Sequence, residues 1–570
     1  MATRAIHSAR YAGWLASVPL FFLLAYFVIY PVLRVLVLGA VDTGTGQFPT
    51  FRYYAELIRS PRVAAVLWNT AVAVLGSVAL AVSVACLLAW SIARTNLPFA
   101  RFLGIVPLVP LLLPALVSAI GWSILFSPRS GYINVLIRAV LGLEDEQGPF
   151  NVFTLAGVTV TMGLYLIPYA YSLLYAAFLS YDPALDDASR VMGSSVWKTF
   201  FRVSLPTVKP AILGAAFLCV TISLAQFAIP AVLGMAGGID VLSTLIYRYV
   251  RGYPPRMELA SAMGTILAFI AVAAHFAMVR ALRKGGHATV GGKATHGNRL
   301  PLGRWRAPVT GFIILYLFVV VVLPLVANIL SSLSRYSSLA ALRPDQLTLS
   351  NYHFVLFEYS YTWSSIKNSF ILALLCATVG SLLGGLIAYI VARRQFGHRV
   401  IGSMGVVPAV IPGIVIGVGL LDAFIRPPLI LYGTMAILIV AYIGHYLPFA
   451  IRATDVSLRQ IGTELEEASR VFGSSWGKTA VRVVLPLIRP GLVSAWSLLA
   501  LLILRELPIS SLLTTPGTNV MAVAIYNLTE AEGLPRIAAF SMLLVIIGLV
   551  ALLAVQAVSR YFGGSPHGRR

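Results

Sequence analysis

Apolar residues run through this chain in blocks of about 20, separated by short polar stretches that hold most of the charge. A block of that length crosses a bilayer's hydrocarbon core as one helix, the only open-chain structure that satisfies its own backbone there. The pattern predicts spans near 14–38, 65–92, 102–126, 153–178, 211–234 and 259–280. Six more follow near 307–330, 366–391, 401–424, 433–454, 491–514 and 536–558. The expected fold class is therefore all-α, a polytopic membrane protein of about 12 transmembrane helices. Pro107, Pro110 and Pro114 interrupt the third block, which predicts a kinked helix buried among neighbours. A short amphipathic piece is expected near Phe51–Leu57, and polar outer loops are expected around Glu144-Asp-Glu146 and Tyr247–Tyr253.

The second six blocks repeat the first. Asp186-Asp-Ala-Ser-Arg-Val-Met-Gly193-Ser-Ser-Val-Trp-Lys198-Thr-Phe-Phe-Arg202-Val-Ser-Leu-Pro206 aligns, gap-free and 280 residues on, with Glu466-Glu-Ala-Ser-Arg-Val-Phe-Gly473-Ser-Ser-Trp-Gly-Lys478-Thr-Ala-Val-Arg482-Val-Val-Leu-Pro486. Pro168 and Pro210 pair with Pro448 and Pro490 at the same offset. Asn69-Thr70, read as opening the second span, and Ala93-Arg94 pair with Asn368-Ser369 and Ala392-Arg393 at an offset of 299, because the outer loop after the third span is shorter in the second half. Six spans return the chain to its starting side, so the halves form a parallel repeat. The division expected is a first half at 1–280 with a charged loop at 182–210, a basic Gly-rich linker at 281–306, and a second half at 307–570 with a charged loop at 462–490.

Composition agrees: 59% hydrophobic and 11% charged residues, with a mean hydropathy of +0.87, exclude a soluble globular class. The net charge of +22 is one-sided. The termini, short turns, linker and charged loops hold 27 Lys and Arg against 7 Asp and Glu, and the rest of the chain holds 15 against 13. That asymmetry follows the positive-inside rule, placing both termini, the linker and both loops in the cytoplasm, and it removes nucleic acid as an expected partner. Arg4 and Arg10 precede a first block longer than a signal-peptide core and without a small-x-small cleavage site, so an uncleaved span is expected. Cys86, Cys219 and Cys376 all fall inside apolar blocks and read as packing residues.

Each charged loop has a readable local physics. Two acids open a short helix and complement its dipole, and Gly193 or Gly473 ends it in the left-handed conformation. Ser194 or Ser474 is expected to cap a second, amphipathic helix carrying Trp197, Phe200 and Phe201 in one copy and Trp476 and Val481 in the other. Leu-Pro and a further proline four residues on then turn the chain back into the bilayer. Gly473 to Thr479 imitates a phosphate-binding loop, but with three residues between the glycines instead of four, so ATP binding by this chain is not expected.

The pattern Asp187-Ala188-Ser189…Gly193…Leu205-Pro206 and Glu467-Ala468-Ser469…Gly473…Leu485-Pro486 resembles the EAA loop of ABC-importer permeases. Asp in place of Glu in the first copy, and Ser at the third position of both, depart from the usual motif. The resemblance implies a type I importer permease fold in a bacterial inner membrane, with Asp187, Ala188, Ser189, Gly193, Pro206, Glu467, Ala468, Ser469, Gly473 and Pro486 as coupling residues. It implies two copies of an ATP-binding cassette subunit, which uses ATP and Mg, and a periplasmic binding protein that selects the ligand. The chain itself is then expected to bind no cofactor and to be no enzyme.

Within the apolar blocks, Arg505-Glu506 stands in the outer half of the eleventh span, with Gln226 aligned to Glu506. For Gln226, Arg505 and Glu506 a place on the translocation path or gate and a structural pairing both remain open. Asp422 is expected to snorkel and His445 to be a packed, hydrogen-bonded residue. No cluster has the composition of a resident metal site. The fused twelve-span form, with Val290-Gly-Gly-Lys293, Leu302-Gly-Arg-Trp-Arg306 and Arg505-Glu-Leu-Pro508, resembles the ferric-iron permeases. Thiamine, polyamine, sulfate and aminoethylphosphonate permeases share most of these features. A secondary transporter driven by an ion gradient is the rival class; it would need midspan carboxylates and has no use for two matched loops.

Overall fold

The computed structural model describes residues 17–143, 147–285, 299–337, 339 and 344–563. Arg4 and Arg10, the acidic Glu144-Asp-Glu146 stretch and most of the 281–306 linker lie outside them. Among the described residues the chain is helical apart from loops and two isolated β-bridges.

Among the described residues nine helices are long and apolar enough to cross a membrane, and four bent pairs pass the same test; three of these complete twelve crossings, and the fourth, Pro230–Gly237 with Leu242–Arg251, follows the fifth span. In chain order these are α1 (Ser17–Gly39), α2 (Pro61–Arg94), α3 (Ala100–Leu112 with Ala115–Phe126), α4 (Leu155–Ser180), α5 (Lys209–Ala225) and α6 (Met257–Leu282). The second half has α7 (Gly303–Ser332), α8 (Thr362–Ala392), α9 (His398–Ala409 with Gly413–Phe424), α10 (Met435–Arg459), α11 (Leu485–Leu504) and α12 (Leu534–Ala557). The expected all-α polytopic class of about twelve spans is what the structure has.

Several boundaries move for identifiable reasons. α3 bends by 90° at Pro114 and α9 by 111° at Pro412; both prolines are extended and start a new helix. The fifth and eleventh spans end at Ala225 and Leu504 rather than at 234 and 514. Pro230 and Pro508 lack the N–H that would bond the carbonyls of Gln226 and Leu504, and Ser243 Oγ donates to the Gln226 carbonyl at 2.9 Å instead. The stretch expected to be an outer loop at Tyr247–Tyr253 is mostly the helix Leu242–Arg251, held by Arg248 Nε on Asp240 at 2.8 Å. Asn69 and Thr70 sit two turns inside α2 rather than at its start.

Their placement exposes the repeat in three dimensions. Thr70 Oγ1 accepts from the Leu242 N–H at 2.9 Å, and Ser369 Oγ accepts from the Met521 N–H at 3.0 Å. Each satisfies an otherwise unpaired donor at the start of a short helix, Leu242–Arg251 or Met521–Ala531. Asn69 and Asn368 donate to the carbonyls of Asp240 and Asn519 beside them.

The halves are interleaved. α1 packs on α9 of the second half, and α7 packs on α3 of the first. Gly419 of α9 lies against the Pro31 carbonyl of α1, and Gly121 of α3 lies against the Pro324 carbonyl of α7. Close backbone approach at glycine is how helices gain contact in lipid, where apolar burial no longer drives association. Asp422 does not snorkel: Arg34 of α1 grips it at 2.6 Å, with 4% of its side chain exposed, because the α1–α9 contact places a cation beside it.

Candidate functional site

The two charged loops repeat the same hydrogen bonds at equivalent positions. In the first, the helix Ala184–Val191 ends with Gly193 at φ +78°. The Gly193 N–H donates to Arg190 O at 2.9 Å and the Ser194 N–H to Ser189 O at 3.1 Å, which together make a Schellman turn. In the second, Gly473 has φ +79° and the Ser474 N–H donates to Ser469 O at 3.1 Å. Because the first serine is engaged in this turn, the cap of the next helix moves on by one residue. Ser195 Oγ accepts from the Lys198 N–H at 3.3 Å, and Ser475 Oγ from the Lys478 N–H at 3.5 Å, correcting the expected Ser194 and Ser474. A side chain at either glycine would meet nothing within 4 Å, so its cost is purely conformational, about 1–2 kcal/mol. Gly473→Val is therefore expected to raise amide exchange in residues 464–479 about 5- to 30-fold, whereas Gly473→Asn, which tolerates this conformation, leaves it near wild type.

Ser189 Oγ and Thr199 Oγ1 are 3.0 Å apart, as are Ser469 Oγ and Thr479 Oγ1. The serine that departs from the usual motif thus ties the two short helices of each loop together. Asp187 is half-buried, and Ala188, Glu467 and Ala468 are exposed. Pro206 and Pro486 stand at the loop exits. The chain bends by 71° before α5, but Gly477–Leu504 runs on as one helix with Pro490 inside it, so only the first exit turns as expected.

The buried acids are the neighbours of those singled out from the motif. Asp186 accepts from Arg94 at the end of α2 (2.8 and 3.1 Å), from Tyr181 (2.9 Å) and from Ser204 (2.9 Å). Glu466 accepts from Arg393 after α8 at 2.7 Å and from Tyr389 at 2.9 Å. The aligned pairs Ala93-Arg94 and Ala392-Arg393 were the available signal. Opposite these anchors, Val191 and Met192 are 87% and 85% exposed, and Val471 and Phe472 are 85% and 89% exposed. Each loop is thus anchored by an ion pair and tipped with two uncovered apolar side chains.

The first loop has an additional brace. Trp90 of α2 packs against Trp197 and Phe200, and Trp197 packs against Trp305 at the start of α7. Just before it, Leu300 exchanges backbone hydrogen bonds with Arg94 and Asn96.

Inside the bundle, a cavity of about 180 Å³ is lined by residues at the helix breaks and on α4 and α10. Positions equivalent in the two halves contribute in pairs: Ala115 and Gly413, Tyr165 and His445, Gln226 and Glu506. Tyr169, Tyr446 and Arg505 complete its polar wall. Glu506 lines it, yet its carboxylate accepts from the Ile509 N–H (2.7 Å), the Ser510 N–H (3.0 Å) and Ser510 Oγ, capping the turn that follows. Arg505 Nη1 donates to Leu111 O of the other half at 2.5 Å. Gln226 Oε1 accepts from the Phe227 N–H at 3.2 Å. His445 faces this cavity, and its Nδ1 has no hydrogen-bond partner, unlike the satisfied residue expected. Among the described residues no group of three or more His, Cys, Asp or Glu could hold a metal ion.

Residues 352–563 match the family described as binding-protein-dependent transport system inner membrane component. The ferric transport system permease protein FbpB of Actinobacillus pleuropneumoniae is 28% identical over 79% of this chain and 65% of its own length. The chain is similar to fused ABC-importer permeases, the ferric-iron permeases among them. The putative ferric transport system permease protein FbpB 1 of Haemophilus influenzae is 29% identical to this permease over 83% of the chain and 73% of the relative. The putative 2-aminoethylphosphonate transport system permease protein PhnV of Salmonella choleraesuis is 29% identical over 46% of the permease and 97% of the relative. The permease thus spans about two thirds of the Actinobacillus relative.

Proposed function

We propose that this chain forms the whole membrane path of an ATP-driven importer in a bacterial inner membrane, with ferric iron as the cargo. A periplasmic binding protein delivers the cargo to the face opposite the loops. Two copies of an ATP-binding cassette subunit, using ATP and Mg, grip the loops on the cytoplasmic side, and the excess of Lys and Arg supports the same side for the termini. The observation that carries this reading is the pair of matched loops, each tied to a spanning helix by a buried ion pair and tipped with exposed apolar residues. A loop transmits force only if its partner binds it differently in two states and if it is stiffly joined to what must move. The turns, serine–threonine ties and ion pairs supply that stiffness. Ferric iron is favoured because the ferric relatives match 79% and 83% of the chain, which supports a shared fused form, whereas the aminoethylphosphonate relative is a shorter protein matched over 97% of its own length.

The secondary-transporter reading loses support from the interior acids. Glu506 is spent on a helical turn and Asp422 on Arg34, leaving neither free to carry a coupling ion.

The test is to purify the chain from its native membrane with its partners retained, and to measure uptake of radioactive ferric iron. Met192→Glu combined with Phe472→Glu is expected to release the ATP-binding subunits and lower uptake on the order of tenfold or more, since charges at the centre of an apolar contact are poorly tolerated. Full uptake by that variant, or ion-driven uptake by the chain alone, would refute the importer reading. Uptake of aminoethylphosphonate but not iron would reassign the cargo.

A further inference from the structure

We infer that Phe227, Tyr247 and Tyr526 are the outer gate of the path, closing the interior cavity against the face opposite the charged loops, and that Arg251 latches this gate across the two halves. The inference rests on the importer reading for which face is outer, and it is independent of the cargo.

The short helices Leu242–Arg251 and Met521–Ala531 are equivalents in the repeat, and Tyr247 and Tyr526 hold the same position in each. Their rings meet edge to face, with centroids 5.9 Å apart. A residue that touches its own counterpart lies at the axis relating the halves, and the interface of the repeats is where such transporters place their path. Phe227 packs against both rings, at 5.3 Å from Tyr247 and 6.0 Å from Tyr526. Phe227 and Tyr526 are buried and Tyr247 is half-buried. Three rings in mutual contact leave no passage between them, and a constriction of this kind is one of the ways a path is shut.

Neighbouring residues set the gate between the cavity and the outer face. Gln226 and Ala228, on either side of Phe227, line the cavity. Val250 and Arg251, one helical turn beyond Tyr247, line a second cavity of about 470 Å³ whose wall includes the fully exposed Tyr253. The first charged loop feeds α5, so the chain leaving α5 stands at the opposite face and remains there until α6 begins. Pro230–Gly237 and Leu242–Arg251, bent by 79°, therefore enter from the outer face and return to it. Such an irregular course is tolerated at membrane depth only where protein buries it.

Arg251 holds the arrangement shut. Its Nε and Nη2 donate to the Ser511 carbonyl at 2.9 and 2.6 Å, and Nη2 donates to the Thr514 carbonyl at 3.3 Å, both in the second half. Charge-assisted bonds are the stronger kind, and these three cross between the halves that must part for the rings to separate. The repeat equivalent of Arg251 is the exposed Glu530, whose carboxylate has no proton to donate to a carbonyl, so only the first half supplies this latch.

The test reads access to the cavity, not transport. Ala225→Cys places a thiol on the cavity wall. Its reaction with a charged, membrane-impermeant methanethiosulfonate added at the outer face is followed in the intact complex in vesicles without ATP. The chain lacking that substitution gives the background from the three buried native cysteines. With the gate intact, labelling should be slow. Tyr247→Ala with Tyr526→Ala should speed it on the order of tenfold or more, and Arg251→Met should speed it less. Tyr247→Phe with Tyr526→Phe keeps the rings and should leave it slow. Fast labelling with all three rings present, or equal rates with and without them, would overturn the gate. An Arg251→Met rate equal to the parent's would overturn the latch. A second measurement covers an alanine pair that fails to fold: Tyr247→Cys with Tyr526→Cys, bridged by a bis-methanethiosulfonate, should stop uptake until a reductant is added. Continued uptake through the bridged pair would overturn the gate. A complex that imports nothing would refute the importer reading, and the labelling rates would still decide whether the rings close the cavity.

Discussion

Glu466→Gln is expected to uncouple the permease: iron uptake drops while the chain still inserts and assembles. Arg393 and Glu466 are 12% and 5% exposed in their side chains, so neutralising the acid leaves a guanidinium largely out of water without its counter-charge. Breaking a buried pair in this way costs about 3–5 kcal/mol. Spread over the equilibrium between an anchored and a released loop, that shifts the population on the order of a hundred- to several thousandfold. The released loop still exposes Val471 and Phe472 to a partner but no longer drags α8 with it. ATP hydrolysis should therefore persist while uptake collapses, measured together in proteoliposomes. Replacing both members, with Arg393→Met and Glu466→Leu, removes the unpaired charge and is expected to recover much of the coupling, because well-packed apolar pairs often substitute for buried ion pairs. Wild-type uptake by Glu466→Gln would show that the loop is held by something else.

The second large effect is expected where the halves interlock. At Gly121 an added Cβ would stand 2.6 Å from the Pro324 carbonyl oxygen and 2.6 Å from Asn328 Nδ2, whose bond to Val117 O already joins α7 to α3. At Gly419 it would be driven into the Pro31 carbonyl. The Pro324 and Pro31 carbonyls are backbone, so the helix must move away as a body. Overpacking costs about 1–3 kcal/mol at ordinary sites, and here it also removes the close approach that holds the helices together. Gly121→Val and Gly419→Val should each lower the melting temperature in detergent, and the pair should do so further. Gly311→Ala on α7 and Gly548→Ala on α12 meet nothing within 4 Å and serve as controls. Unchanged melting of the valine variants would count against the interlock.

The twelve crossings were legible because hydropathy reports them directly. The ends of α5 and α11 were not, since the helix breaks at Gln226 and Phe227 within a stretch nearly as apolar as the helix before it. The helix Leu242–Arg251 was hidden for the opposite reason: its arginines make it look like a loop until Asp240 is seen to pair with Arg248. In the charged loops the motif located the segment, but two adjacent acids cannot be ranked from sequence. The rotation of each short helix against α2 or α8 decides that Asp186 and Glu466 point inward. That Tyr165 and His445 line one cavity depends on packing between residues some 280 apart, for which one sequence carries no signal beyond the repeat itself.

The brace on the first loop fastens one half's handle to the other half's doorway. Trp197 of that loop packs on Trp305 at the start of α7, and Leu300 just before it bonds Arg94 and Asn96 at the end of α2. A displacement of the first loop is therefore expected to be felt at once by the opening span of the second half.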